Sequence, residues 1–473
     1  MGAVRVSELF PMRLLGFGLY LAWTTFVAPF EKASGVEAFS SSITRLYVYV
    51  GLTAALYIAI AWYVRSAKRS PWGMWSVVAC TVAGVLSPAC ELAALALPAG
   101  GGALDICSIV LRSVAGVGFF LMWNGQLAGH KARTAWIAYA GSFALAACIY
   151  MVVSAFGMGF ITAAMFVMPV ASGLLLALSR QLPREDAPAD ESVTWHFPWR
   201  PVILMALFSF SYSLAGHFDG DLHEAGEWGR LIVAAAVLIC AIWLFDRFDA
   251  GIIYKLCPAF MVAGLLLCAA GGPDEFGLCG LLVSMGYNGF TLYMYLVLNT
   301  VCYRFGAPVE WLFGITEAVC ILAGVPSSTL GNWLSATAAG TPWAPGLAMG
   351  IAIVTIVLLS MLLLTSNTSV TTWGIKGVRS HEDGEGAPVK RLETSAYLED
   401  HVYRCARVAR HYGLTHREEE VLSLLAQGKT FQEVEGALHI AHGTMRVHVQ
   451  HIYAKLGVHG VDEARDVVDT WRS

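Results

Sequence analysis

Long apolar stretches fill this chain from residue 13 to residue 365. A helix needs about 20 apolar residues to cross the hydrocarbon of a bilayer. The pattern therefore predicts an all-α membrane domain of about twelve helices, although the seventh stretch is short and the eleventh contains polar residues, which leaves eleven or thirteen as alternatives. The predicted spans are 13–31, 43–64, 73–97, 105–128, 134–156, 159–180, 200–216, 230–248, 252–272, 278–303, 308–328 and 344–365.

The composition agrees with a membrane domain. Hydrophobic residues make up 57% of the chain and charged residues only 14%, whereas soluble domains carry roughly 25% charged residues. The charges are concentrated after Thr365, in a segment that reads as soluble and helical. The net charge of −4 therefore describes neither part and says nothing about partners.

Cations alternate with anions from loop to loop, which predicts the orientation of the helices. One set of loops contains Lys and Arg, and the opposite set contains mainly Asp and Glu. By the positive-inside rule both termini are cytoplasmic, and the first apolar run is a membrane helix, not a removed signal peptide. The cations are Arg65, Lys68, Arg69, Lys131, Arg133, Arg184, Arg247, Lys255 and Arg304, and the anions are Asp219, Asp221, Glu224, Glu227, Asp274 and Glu275.

The order of the spans is six helices, a charged loop at about 181–199, and six more helices. This arrangement resembles the major facilitator superfamily. The resemblance implies two halves, about 13–180 and 200–365, with a binding site between them near the midplane. The superfamily motif GxxxDRxGRR between helices two and three is replaced by RSAKRSPW, which argues against transport more than against the fold.

Three charged residues lie inside predicted spans: Glu91, Arg112 and Glu317. Charges in hydrocarbon are costly and usually face a partner or a cavity. One interpretation is a structural ion pair between Glu91 and Arg112. The other is that both residues, with Glu317, belong to a site for an unknown small-molecule ligand or a proton.

Metal sites and cofactors are not predicted. Of the eleven cysteines, ten stand singly in apolar runs, none at zinc-site spacing, and we expect buried, unreactive thiols. An outer loop contains potential metal ligands, but a solvated acidic loop is the preferred interpretation. These potential ligands are His217, Asp219, Asp221, His223 and Glu224.

Residues 1–365 are thus a predicted membrane sensor domain. Residues 366–394 are polar and show no hydrophobic periodicity, which predicts a flexible cytoplasmic linker. Residues 395–473 predict a linker helix, ending at Gly413, and a small helical module. Thr415 and Glu418 have the spacing of a capping box. A tight turn leads into a helix at about 442–456, which is the helix-turn-helix plan.

From Leu414 the chain reads LTHREEEVLSLLAQGKTFQEVEGALHIAHGTMRVHVQHIYAKLGV. This stretch resembles the LuxR-type (NarL/FixJ-like) DNA-binding domain, over about residues 410–470. The whole chain resembles multi-pass, membrane-anchored LuxR-type regulators of bacteria. That resemblance implies a protein of the bacterial inner membrane that binds promoter DNA as a homodimer.

By motif position, the resemblance implies that Arg446, Val447 and Gln450 face bases and that Thr444 and Lys455 face phosphates. Arg pairs with guanine, Gln with adenine, and Val contacts the thymine methyl group. Each of these side chains is alternatively part of a solvated helix face.

The module departs from the family pattern at two positions. Phe431 replaces a small polar residue, and Glu435 replaces a small residue at which two helices pack. A carboxylate at this position must turn outward or meet a cation. From Leu414 onward the module has six Lys and Arg against nine Asp and Glu, so we expect weak binding by one copy and dependence on dimers.

Nothing in the chain predicts an enzyme. Gly428-Lys429-Thr430 resembles the end of a phosphate-binding loop, but Ser423 stands where that loop needs glycine. The sequence predicts a one-component transcription regulator that senses a ligand or membrane state. The alternatives are a major-facilitator-type transporter with a regulatory tail and a helix-turn-helix remnant that binds protein.

Overall fold

The computed structural model describes most of the two helical regions. The described residues are 12–34, 42–97, 101–182, 193–195, 197–216, 222–243, 251–270, 276–337, 346, 350–356, 375–377, 405, 408–426, 429–438 and 440–470. Contacts divide the chain into two compact units, Met1–Trp243 with Ala250–Leu392, and Leu244–Asp249 with Glu393–Ser473.

The first unit is built from long apolar helices. A short 3-10 turn, Met12–Leu15, precedes the first of them. In chain order the helices are α1 (Gly16–Ser34), α2 (Ser42–Ala67), α3 (Met74–Ala96), α4 (Gly101–Leu127), α5 (Ala132–Ala155), α6 (Met158–Ser179), α7 (Trp199–Ala215), α8 (Leu222–Trp243), α9 (Gly251–Ala270), α10 (Phe276–Phe305) and α11 (Val309–Thr337).

The described helices agree with the predicted spans, and the all-α architecture is confirmed. Nine of these helices are long and apolar enough to cross a membrane, and Trp199–Ala215 and Leu256–Ala269 are shorter apolar helices. Residues 350–356 of the predicted twelfth span are helical. Most of the remainder of that span lies outside the described residues.

The halves meet mainly through two pairs of helices: α2 packs against α11, and α5 packs against α8. Within the second half α9 lies very close to α10, at Gly286. A Cβ atom there would lie 2.8 Å from the backbone nitrogen of Met261 and 2.9 Å from the carbonyl oxygen of Cys257. Since real Cβ atoms do not approach backbone so closely, we infer that glycine is required at this crossing.

The expectation that the membrane-domain cysteines are all unpaired thiols is wrong for two of them. Cys268 and Cys279 form a disulfide between the end of α9 and the beginning of α10. These cysteines stand on different predicted spans, so only the helix packing brings them together.

A small two-stranded sheet occurs beside the helices. Strand β1 (Val193–Trp195) pairs antiparallel with strand β2 (Ile375–Gly377), with Thr194 opposite Lys376. Strand β1 belongs to the charged loop between the halves, and β2 belongs to the predicted linker. The linker was expected to be without regular structure, and three of its residues form this strand. The other linker residues lie outside the described part of the chain.

The second unit contains a module of four short helices: α12 (His416–Ala426), α13 (Phe431–Leu438), α14 (His442–Leu456) and α15 (Val461–Thr470). The preceding helix ends at Gly413, which has a positive φ of 63°. α14 ends at Gly457, also left-handed, with a φ of 70°. These boundaries agree with the predicted ones. The buried core contains Val421, Leu422, Leu425, Val434, Met445, Val449, Ile452, Ala464 and Val468.

The predicted capping box at the start of α12 is confirmed. The Glu418 carboxylate accepts a 2.7 Å hydrogen bond from the Thr415 amide, and the Thr415 hydroxyl accepts one from the Glu418 amide. Glu418 also receives a 2.7 Å hydrogen bond from Lys455 of α14. Burial alone would raise the pKa of Glu418, but the hydrogen bonds from Lys455 and Thr415 lower that pKa to about 2.

The sheet generates a prediction about the linker. Replacing Thr194 and Lys376 with cysteine should yield a disulfide under oxidation, because Cα atoms of antiparallel partners lie about 4.5–5.5 Å apart, within disulfide range. A protease site is inserted between α7 and α8, and the purified chain is cleaved there. Electrophoresis without reductant then shows whether the two fragments stay joined. The control pairs Thr194→Cys with Glu385→Cys. Equal joining in both variants would contradict the sheet.

A second prediction concerns the module's stability. A lowered pKa stabilises the fold above the unfolded pKa of about 4.5, and this contribution disappears as the pH falls toward about 2. Glu418→Gln should therefore lower the free energy of unfolding of residues 395–473 by about 1–2 kcal/mol at pH 7 and by little near pH 2. Urea unfolding measures both values. Glu419→Gln is the control, and an equal loss in the two variants would contradict the assignment.

Candidate DNA-recognition and sensing sites

Helix α14 has a buried face and an exposed face. Met445, Val449 and Ile452 are buried in the core of the module. Between them, at helical spacing, other side chains point outward into solvent. The exposed residues include Thr444, Arg446, Val447 and Gln450, so four of the five predicted DNA contacts share one accessible surface.

The fifth predicted contact, Lys455, has a different environment. Its ammonium group donates to the carbonyl oxygen of Gly413 at 3.0 Å and to Glu418 at 2.7 Å. The side chain ties α14 to the start of α12. Two of its three donors are thereby engaged within the module, which leaves one for a phosphate.

The carboxylate of Glu435, expected to turn outward or meet a cation, meets an imidazole. Glu435 in α13 lies 2.6 Å from Nδ1 of His442, the first residue of α14. The contact joins the two helices of the helix-turn-helix across their turn. The other departure, Phe431, begins α13 and is 41% exposed.

In the membrane domain the structure brings Glu91 and Arg112 together. Arg112 donates a 2.6 Å hydrogen bond to Glu91 and pairs with Glu31 of α1. Arg45 of α2 lies 3.3 Å from Glu31 and from Glu91, and 3.1 Å from Asp105 of α4. We call these five residues the ionic cluster.

The ionic cluster contains one more carboxylate than guanidinium groups. With every group ionised its formal charge is −1, because Glu31, Glu91 and Asp105 face two arginines. Within the described part of the chain, Nη1 of Arg45 and Nε of Arg112 are buried without a hydrogen-bond partner. A buried group without a partner is energetically costly, so the cluster has capacity for a further polar group.

The sequence analysis had identified two members of the cluster and missed the others. Asp105, Ser108 and Arg112 follow one another at intervals of three and four residues, and that helical spacing could have revealed Asp105. No such signal was present for Glu31 and Arg45, because each stood near the end of a predicted span. Helix packing brings them together.

The structure places Glu317 with different partners. Its carboxylate accepts a 2.7 Å hydrogen bond from the Tyr295 hydroxyl. The Tyr295 ring contacts an aromatic group drawn from both halves: Phe120, Tyr139, Phe143 and Phe313. Glu317 is thus part of an aromatic contact between the halves, separate from the ionic cluster.

A second buried charge pair was also missed. Arg230 of α8 pairs with Glu227 at 3.0 Å and donates to Asn288 and to Thr25 of α1. The sequence analysis had assigned Glu227 to an outer loop, but α8 begins at Leu222 and includes it. The outer-loop residues 217 and 219–221 lie outside the described residues, and the described residues contain no group of three or more metal-ligating side chains.

Comparisons with known proteins identify the C-terminal module. Residues 413–468 match the family "Bacterial regulatory proteins, luxR family". The spore germination protein GerE of Bacillus subtilis is 45% identical over 51 residues, which are 11% of this chain and 69% of GerE. An uncharacterized transcriptional regulatory protein of the same species, YhcZ, is 43% identical over 49 residues, 10% of this chain and 23% of YhcZ.

The membrane helices have structural relatives that show the fold alone. A bacterial homologue of the iron transporter ferroportin, in its outward-facing state, superposes with a TM-score of 0.53 at 16% identity, covering 74% of this chain and 96% of that one. The major facilitator superfamily proton:xylose symporter XylE superposes with a TM-score of 0.50 at 13% identity, covering 73% and 94%. The chain therefore belongs, through its C-terminal module, to the luxR family of bacterial regulatory proteins, and that module follows a helical domain with a major-facilitator-like fold.

Proposed function

We propose that this protein is a membrane-embedded, one-component transcription regulator whose helical domain senses a ligand or membrane state. The single observation that carries the proposal is the exposed face of α14, in a LuxR-type module, on the same chain as a polytopic membrane fold. A recognition helix acts by placing such a face in the major groove of DNA.

The exposed side chains of α14 suit contacts with promoter DNA. Arg446 can donate two hydrogen bonds to guanine, Gln450 can pair with adenine, and Val447 can contact a thymine methyl group. Thr444, near the beginning of the helix, would face a phosphate. Lys455 would reach a phosphate only with the donor that Glu418 and Gly413 leave open.

We propose that the module binds DNA as a homodimer. Its nine carboxylates outnumber its six cations, so a single copy attracts phosphates only modestly. The last helix, α15, adds little support for a dimer, because its apolar residues Ala464 and Val468 are buried within the module's own core. A membrane domain that changes the proximity of two modules would change their pairing through effective concentration.

We propose the ionic cluster as the sensing site. Five charged groups from four helices meet there with a formal charge of −1 and unsatisfied donors. A ligand or proton that changes this balance would change the contacts among α1, α2, α3 and α4. Glu317 would respond separately, through the aromatic contact between the halves.

The proposal requires both termini in the cytoplasm, as the distribution of loop cations predicts. The module then faces the chromosome from the inner membrane of a bacterium. A reporter that is active only in the cytoplasm should therefore be active when fused after Ser473. A silent fusion would contradict both the orientation and the regulator function.

Mutation of Arg446 tests DNA recognition. Arg446→Ala should weaken binding of the purified protein to its promoter about 5- to 150-fold, since a good base contact contributes about 1–3 kcal/mol. Promoter fragments are first recovered by chromatin mapping, and binding is then measured by electrophoretic mobility shift. Arg410→Ala, which removes an exposed cation before Gly413, is the control. Wild-type affinity in the Arg446 variant would sink the assignment and favour a module that binds protein.

Paired neutralisation tests the ionic cluster. Glu91→Gln/Arg112→Gln removes one charge of each sign, and Arg45 still pairs with Glu31 and Asp105, so no buried charge is left alone. Reporter expression from the target promoter should lose its dependence on growth conditions while the protein still inserts at normal levels. Glu227→Gln/Arg230→Gln is the matched control, and Glu317→Gln tests the aromatic contact alone. An unchanged response in the first variant would show that the cluster is only structural.

A further inference from the structure

A half-open cavity lies where α2 ends and α11 begins, and three basic residues border it. Its volume is about 470 Å³, and its polar lining comes from Arg65, Lys68, Arg69, Ser70 and Glu310. Three cations against one carboxylate give these walls a formal charge of +2. RSAKRSPW, the sequence that departs from the superfamily motif, supplies these cations.

The cations of the cavity are available to a ligand. Glu310 accepts a 2.7 Å hydrogen bond from the Ser70 hydroxyl. The Arg65 guanidinium lies 4.4 Å above the ring of Trp311, which holds it by a cation–π contact without neutralising it. Among the described residues, Lys68 and Arg69 have no carboxylate within ion-pair distance.

The backbone positions these cations by an unusual turn. Lys68 has a φ of 52°, the only positive φ at a non-glycine residue in the described part of the chain. Its amide still donates to the Val64 carbonyl oxygen at 2.9 Å, which closes the last turn of α2. The chain then reverses, so that Ser70 meets Glu310 at the start of α11.

Exposed aromatic residues place the cavity at the membrane surface. Trp62 and Tyr63 precede it on α2 and are 66% and 51% exposed, and Trp75 at the start of α3 is 85% exposed. Tryptophan and tyrosine concentrate where the hydrocarbon meets the headgroups. On the orientation that the loop cations predict, a cavity just beyond these residues would lie on the cytoplasmic side, at the depth of lipid phosphates.

We propose that this cavity binds the phosphate headgroup of an anionic phospholipid. Basic pockets between membrane helices on the cytoplasmic side are suited to such headgroups. The phosphate would lie among Arg65, Lys68 and Arg69, and its acyl chains would run along the exposed face of α2. Because α2 and α11 belong to different halves, the bound headgroup would bridge the halves. Binding of the lipid does not depend on the proposed function. An effect of the bound lipid on transcription would rest on that function.

The experiment measures lipid retention by the purified full-length protein in native mass spectrometry. Wild-type protein should retain phosphatidylglycerol in preference to phosphatidylcholine. Lys68→Gln/Arg69→Gln should lower this retention roughly tenfold or more, because each cation near the headgroups contributes substantially to anionic lipid binding. Lys131→Gln/Arg200→Gln, which removes the same two residue types elsewhere on the predicted cytoplasmic side, should leave retention unchanged.

A variant that should strengthen lipid binding distinguishes a lost binding site from a misfolded protein. Glu310→Gln keeps a hydrogen-bond acceptor for Ser70 but removes the one carboxylate, so retention of phosphatidylglycerol should increase, which a damaged fold would not produce. Added glycerol phosphate distinguishes the sources of the phosphate. Displacement of the lipid by an equal concentration of glycerol phosphate would overturn the lipid assignment in favour of a soluble phosphate ligand. Equal loss in the Lys68/Arg69 and Lys131/Arg200 variants, or no preference for phosphatidylglycerol, would overturn the site.

Discussion

Hydrocarbon offers no hydrogen bonds, and this constraint shapes most of the protein. In lipid every backbone amide and carbonyl must be satisfied within the chain, so the apolar segments become helices of about the length of the bilayer. The same constraint acts on side chains. A guanidinium or carboxylate within these helices must find a partner among them, because water is absent. The charged residues of the spans therefore mark where helices meet.

The ionic cluster shows how this constraint acts on side chains. Arg45 and Arg112 draw carboxylates from α1, α3 and α4 into one group. A fully matched group would be purely structural. This one contains three carboxylates and two guanidinium groups, and Nη1 of Arg45 and Nε of Arg112 are buried without a hydrogen-bond partner.

In the C-terminal module, charged side chains cap helices and link neighbouring helices to one another. Glu418 caps α12 and holds Lys455, so one buried carboxylate fixes the orientation of the recognition helix against its neighbour. Glu435 reaches His442 across the helix-turn-helix. These contacts stiffen the module, while the short sheet between β1 and β2 anchors part of its linker to the loop between the two halves.

The sequence alone determined the features that depend on local order. Apolar length located the spans, the Thr415–Glu418 spacing and Gly457 located helix ends, and motif spacing identified the exposed residues of α14. Only the tertiary structure decided which distant groups meet. Glu31 and Arg45 joined Glu91, Lys455 turned to Glu418, Cys268 bonded to Cys279, and the linker formed a strand. Hydrophobic periodicity and capping act over a few residues, whereas ion pairs between helices depend on packing angles that no short stretch of chain encodes.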